Sequence, residues 1–112
     1  DSPALFNVVL RDDEGAIRGG LIARTNWHWL WVITLALAPG FRGRGHGARL
    51  LAAAESRALG LNCVGARLDT YSFQARAFYE KQGYTEAGRI PDCPPGHVRY
   101  TLFKRLDGAA ER

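Results

Sequence analysis

The sequence predicts one mixed α+β domain, and three observations carry that prediction. An apolar run from Leu30 to Ala38 ends at Pro39-Gly40, passes through a glycine-rich turn, and opens into a helical pattern from Ala48 to Leu59 that stops at Gly60. A further strand pattern, Asn62 to Asp69, follows that helix. A strand–helix–strand unit implies a parallel pair joined by a right-handed crossover. Short strand patterns bounded by turn residues lie on both sides of the unit, and 112 residues suffice for a single modest core. The whole chain, 1–112, is read as one domain.

Taken in order, Leu5-Phe6-Asn7-Val8-Val9-Leu10 is an apolar, β-branched strand, and Asp12-Asp13-Glu14-Gly15 is a turn cluster. Ala16 to Arg24 is the partner strand of a hairpin, and Gly19-Gly20 within it predicts a bulge or a close backbone approach. Trp27, Trp29 and Trp31 alternate, which places them on one face of a strand. That face reads first as packing surface and second as a pocket wall or contact surface. His28 reads as a packed strand residue, and Val32 to Ala38 as the central strand. Leu50, Leu51, Ala54 and Ala58 keep helical spacing, with Arg49, Glu55 and Arg57 on the wet face. A second helix runs from an N-cap at Ser72 to about Gln82 and stops at Gly83. Tyr84 to Ile90 is another strand, Pro91 to His97 a proline-rich loop, Val98 to Leu106 the last strand, and the residues from Asp107 on a frayed tail.

Composition narrows the function classes. The formal net charge is +4, and nearly all the positive charge is arginine, spread along the chain without a run. That argues against a nucleic-acid surface, since aromatics and arginines do not interleave as a stacking platform. No apolar run approaches the length of a membrane span and no leader pattern opens the chain, so a cytoplasmic location with no membrane partner is expected. Two cysteines, Cys63 and Cys93, are too few for a disulfide scaffold. With three histidines they share no ligand spacing, so no metal site is expected.

The chemistry concentrates at Phe41-Arg42-Gly43-Arg44-Gly45-His46-Gly47. A helix N-terminus offers unpaired N–H groups and the positive end of the macrodipole, and glycines let the backbone approach an anion. Arg42, Arg44 and His46 add charge. A pyrophosphate is the expected guest. The spacing Gly43-x-Gly45-x-Gly47 is not a dinucleotide GxGxxG, and no Gly-Lys-Ser/Thr ending marks a P-loop.

Arg42-x-x-Gly45-x-Gly47 resembles the acetyl-coenzyme A signature (Q/R)-x-x-G-x-(G/A) of the GNAT acyltransferase superfamily. Ala75-Arg76-Ala77-Phe78-Tyr79-Glu80-Lys81-Gln82-Gly83-Tyr84 is similar to that family's A-x-x-(F/L)-Y-E-K-x-G-(F/Y). The resemblance covers about Leu5 to Leu106, and two motifs in order, one helix and one strand apart, are more specific than either alone. It implies a GNAT fold: a mixed, mostly antiparallel twisted sheet, a parallel β–α–β splay that holds CoA, and helices on both faces. It also implies that the family's first strand and helices are missing here.

By resemblance, acetyl-CoA is the cofactor. Its pantetheine arm takes backbone hydrogen bonds from Leu35, Ala36 and Leu37, with small Ala36 and Ala38 leaving room. Its pyrophosphate sits on Phe41 to Gly47, and Ser72, Phe78 and Tyr79 make further contacts. Tyr79 is the implied general acid at the sulfur, and backbone N–H near Leu37 the donor to the acyl oxygen. The chain departs from the pattern twice. Ser72 stands where many members carry asparagine, and Trp31, Val32 and Thr34 stand where many carry a glutamate. The base is therefore open among a water chain, Asp69 and His97. Trp29, Trp31, Asp69 and His97 are the candidate acceptor contacts. The implied activity is N-acetylation of a small-molecule or peptide amine. Use of a longer acyl-CoA, and a CoA-binding module without efficient catalysis, are the alternatives. Members of the family often dimerise, and an exposed tryptophan face suits a homodimer.

Overall fold

A computed structural model describes residues 3–108. The elements are β1 (Ala4–Arg11), β2 (Ile17–Asn26), β3 (Trp29–Leu37), α1 (His46–Gly60), β4 (Gly65–Tyr71), α2 (Arg76–Lys81), β5 (Thr85–Pro91) and β6 (Val98–Arg105). The six strands form one sheet in the order β1-β2-β3-β4-β6-β5. Only β3 and β4 are parallel; the other four neighbouring pairs are antiparallel. The expected mixed, mostly antiparallel sheet with one β–α–β unit is therefore present. Of the predicted tail, residues 109–112 lie outside the described residues.

Alternation along the strands sorts the side chains into two faces. Leu21, Leu30, Val32, Ala66, Leu68 and Leu102 form the buried face, which Leu50, Leu51, Ala54 and Ala58 of α1 cover. Burying one such leucine contributes about 1.5–3 kcal/mol, so this seam fixes α1 on the sheet. The second helix packs on the same side. Phe78 and Tyr79 join the core, and Arg76 lies over Tyr100, a neighbour of Leu102 on its face. The expectation of helices on both faces is thus met on one face only. The apolar residues that need a cover, Leu21 through Leu102, are concentrated there.

Two local expectations are corrected. Trp27 does not continue a strand: Trp27 (φ 52°) and His28 (φ 65°) form a two-residue turn, and Trp27 is 80% exposed. Positive φ at both turn residues matches the right-handed twist of a tight hairpin, and this outweighs the alternation of tryptophans. His28 is accordingly a turn residue. Its carbonyl accepts the Val64 N–H at 2.7 Å, and its Nδ1 pairs with the Asn62 carbonyl oxygen at 3.0 Å, tying the hairpin tip to the entry of β4. That strand begins at Gly65 because Leu61 to Cys63 close off α1, with the Cys63 N–H donating to Ala58. Ser72 is not an N-cap. The second helix starts later, after Ala75, and the Ser72 hydroxyl accepts the Val98 N–H at 3.0 Å instead. Gly19-Gly20 behaves as predicted: the register shifts beside Gly19, and a Cβ there would meet Leu37 Cδ2 at 2.7 Å.

Candidate active site

Strands β3 and β4 pair only from Trp29 to Val32, although β3 continues to Leu37. The parting falls at a bulge. Val32 faces Ala23 and Thr34 faces Ile22, which leaves Ile33 as the extra residue on β3. A bulge bends its strand and ends pairing. Beyond it the β4-facing edge of β3 is open.

Peptide direction along that edge follows from three contacts. The Ala38 N–H donates to Arg18 of β2. The Ala36 carbonyl also faces β2, lying 3.0 Å from where a Cβ on Gly19 would sit. The Leu37 carbonyl points the other way and accepts Arg42 Nε at 3.2 Å. With a period of two, the N–H and C=O groups of Leu35 and Leu37 face the split. Ala36 contributes its small side chain to the wall rather than its carbonyl.

The glycine loop closes one end of the split. Gly40, Gly43 and Gly45 have φ of 86°, 74° and 80°, values that a side chain would strain. Gly45 is the N-cap of α1 and offers no side-chain cap, and the first turn holds no acidic residue. The opening N–H groups of a 15-residue helix thus lack a side-chain acceptor. Arg44 and Arg18 flank the Phe41 ring, which lies against His46, and His46 Nδ1 accepts a hydrogen bond from Arg49. Gly47 has a different role. It is buried, and a Cβ would meet Phe78 Cζ at 3.3 Å, so this glycine sets the approach of α1 to α2.

Two joined lobes occupy the split. The first, about 450 Å³, is lined by Leu35, Ala36, Leu37, Gly47, Phe78 and Tyr79 and is mainly apolar. The second, about 660 Å³, is lined by Thr34, Asp69, Thr70, Phe73, Gln74 and Tyr79 and is mainly polar. Tyr79 and Arg42 border both lobes. Tyr79 is packed edge-on against Phe78 (5.0 Å) and Tyr84 (6.0 Å), and burial raises its pKa, so it stays a phenol at neutral pH. Behind it, the Tyr84 hydroxyl donates to Glu55 at 2.8 Å, and Lys104 Nζ donates to the other Glu55 oxygen at 3.0 Å. This part-buried triad, in place of the wet-face position expected for Glu55, locks α1 to the sheet and fixes the ring that backs Tyr79. Arg76 bridges Glu80 (3.3 Å) and Glu86 (2.9 Å), which holds the short helix in place.

The profile of the Acetyltransferase (GNAT) family matches residues 1–84, three quarters of the chain. The chain belongs to the GNAT acetyltransferase family. A blasticidin-S acetyltransferase of Streptomyces morookaense is 43% identical over 95 residues, covering 84% of this chain and 70% of that one. An acetyltransferase of Agrobacterium fabrum is 35% identical over 101 residues, covering 90% of this chain and 74% of that one. The crystal structure of an acetyltransferase from Bacillus cereus superposes with a TM-score of 0.87 at 34% identity, covering 92% of this chain and 74% of that one. This GNAT domain is accordingly an acyltransferase, with acetyl-CoA as its cofactor. Its residues fit that molecule. An apolar lobe with a strand edge unpaired by β4 leads to a glycine turn, an uncapped helix N-terminus and two arginines, one of which bonds the Leu37 carbonyl.

The expected cofactor contacts are therefore gathered around one split, with the exception of Ser72. Ser72 follows the end of β4 and is turned toward the start of β6, bonded to Val98 and to His97 Nδ1 (3.3 Å). The expected acceptor contacts divide. Asp69 lines the polar lobe. Trp29 and Trp31 lie further back on β3, beside a separate cleft with Arg24, Asn26 and Arg67. His97 is edge-on to Phe73 at 4.7 Å, outside the lobe lining. Thr34, one of the positions where many members carry a glutamate, lines the lobe, as do Thr70, Phe73 and Gln74, which had no sequence signal because residues on two strands and a loop meet only where β3 leaves β4.

Asp69 is poorly suited to be the base. Burial alone would raise its pKa. Hydrogen bonds from Arg99 (2.7 Å) and Thr101 (2.8 Å), with the charges of Arg99 and Arg67, outweigh burial and hold the carboxyl below the usual carboxylate range. It is a fixed anion at neutral pH and a weak proton acceptor.

Proposed function

We propose that this GNAT domain transfers the acetyl group of acetyl-CoA to a primary amine of a small polar molecule by direct attack in a ternary complex. The observation that carries the reading is Tyr79 at the junction of an apolar lobe and a polar lobe. The apolar lobe suits the pantetheine arm and the polar lobe suits the acceptor. Acetyl-CoA supplies an acyl group activated as a thioester. The amine nitrogen bonds to the acyl carbon, the carbon–sulfur bond breaks, and the sulfur leaves as a thiolate that gains a proton.

This chain's residues act on three points. The Leu37 N–H faces the split and donates to the acyl oxygen as its charge grows. The Tyr79 hydroxyl donates to the departing sulfur. Its raised pKa makes full proton transfer to a thiolate uphill, so Tyr79 contributes chiefly as a hydrogen-bond donor. No carboxylate of ordinary basicity lines the polar lobe among the described residues, so the ammonium proton leaves through water. The blasticidin-S acetyltransferase relative supports a small-molecule acceptor.

Thiol release from acetyl-CoA, measured over a panel of amines that includes blasticidin S, tests the reading. Tyr79→Phe is expected to lower kcat about tenfold to a thousandfold with acetyl-CoA affinity nearly unchanged. Equal turnover by the variant removes Tyr79 from the mechanism.

A further inference from the structure

The polar lobe carries a feature that acetyl transfer itself does not require. Tyr71 and Phe73 stack with ring planes 11° apart and centroids at 5.4 Å, and His97 closes edge-on against Phe73 at 4.7 Å. The turn beneath is tied down: the Gln74 N–H donates to the Tyr71 carbonyl at 2.8 Å, and the Ser72 N–H donates to Val98 at 2.9 Å. Phe73 is nonetheless 55% exposed, and it lines the lobe. An aromatic ring held by two neighbours and half exposed at the wall of a polar cavity is a preformed stacking surface.

Asp69 lies two residues before Tyr71 on β4, so both point to the same side of the sheet. Each Asp69 oxygen accepts one hydrogen bond from the protein, one from Arg99 and one from Thr101. A carboxylate has about four acceptor positions, so room remains for a donor on a ligand. The Gln74 amide and the Thr34 and Thr70 hydroxyls border the same space.

Resting on the acetyltransferase reading, we propose that the second lobe is an acceptor subsite for amines that carry a flat ring. The ring lies on Phe73, a donor on the amine's body meets Asp69, and the reactive nitrogen reaches the junction at Tyr79. An extended peptide amine lacks a ring at the required place, and an aliphatic diamine leaves Phe73 uncovered.

Calorimetric titration of the CoA-loaded protein with histamine and tyramine, against putrescine and the peptide Ala-Gly-Gly, tests this. Ring-bearing amines are expected to bind about fivefold tighter than the others. Phe73→Leu is expected to abolish that preference while acetyl-CoA affinity stays within about twofold. The exposure of Phe73 keeps the fold out of the comparison. Asp69→Asn is expected to weaken all the amines about tenfold and to keep the ring preference. A wild type that binds acetyl-CoA but shows no ring preference, or a preference that survives Phe73→Leu, overturns the subsite alone. A wild type that binds no acetyl-CoA takes down the reading beneath it as well.

Discussion

Replacing Arg42 by alanine should move the affinities of two related ligands in opposite directions. The Arg42 guanidinium donates from Nε to the Leu37 carbonyl at 3.2 Å, the long end of the hydrogen-bond range, and it borders both lobes. It thereby occupies the strand-edge acceptor that a pantetheine amide needs. Such a bond is worth about 0.5–1 kcal/mol net, so removing it should favour a phosphate-free ligand such as S-acetyl-pantetheine by about twofold to fivefold. Acetyl-CoA gains the same release but loses a charged donor to its pyrophosphate. That loss of about 1.5–3 kcal/mol exceeds the gain, and the net of about 0.5–2.5 kcal/mol weakens binding about twofold to seventyfold. Calorimetric titration of both ligands into wild type and Arg42→Ala, at one fixed salt concentration, reads both numbers. Weakening of acetyl-CoA alone would mean that Arg42 serves only as a phosphate ligand, and joint weakening that its bond to Leu37 shapes the split rather than blocks it. Unchanged affinities would remove it from the site altogether.

Other consequences follow from the packing and the charges. A Cβ on Gly65 would run into the Trp29 indole across the parallel pair, with Cε3 at 2.9 Å. Gly65→Ala should therefore cost about 1–3 kcal/mol, which is about 5–20 °C in Tm, and Trp29→Leu in the same chain should restore most of it. Asp69 titrates below its ordinary value of 3.8 in the native state, so the stability it adds is fully present above that pH and is lost as the pH falls through the lowered native value. The difference in urea midpoint between wild type and Asp69→Asn should therefore be present at neutral pH and shrink as the pH falls below 3.8. Glu55→Gln should lower stability by about 2–3 kcal/mol in urea titration, because Lys104 and the buried Tyr84 hydroxyl both lose their charged acceptor.

The strand–loop–helix–strand unit was legible because each part carries a local signal: the apolar run, Pro39-Gly40, the spaced glycines, and the period of Leu50, Leu51, Ala54 and Ala58. The parting of β3 from β4 was not. Val32, Ile33 and Thr34 look like an uninterrupted strand, and the bulge at Ile33 exists only in register with Ile22 and Ala23. Trp27 shows the same limit from the other side. Its alternation with Trp29 and Trp31 is real in sequence, yet the two-residue hairpin decides its position. Asp69 could be marked as a candidate base because it ends an apolar strand. Its partners, Arg99 and Thr101, stand 30 and 32 residues away and make it a fixed anion instead. Gly47 was read as room for a phosphate, and its Cβ position shows contact with Phe78 across two helices.

Titration of the purified protein with acetyl-CoA tests the central claim most directly, because the split, the glycine turn and the uncapped helix must all act together to bind it. The account predicts one-to-one binding in the micromolar range, weakened by added adenosine diphosphate, which competes for the glycine turn. A folded sample that gives no heat of binding, or binding that adenosine diphosphate leaves untouched, contradicts it.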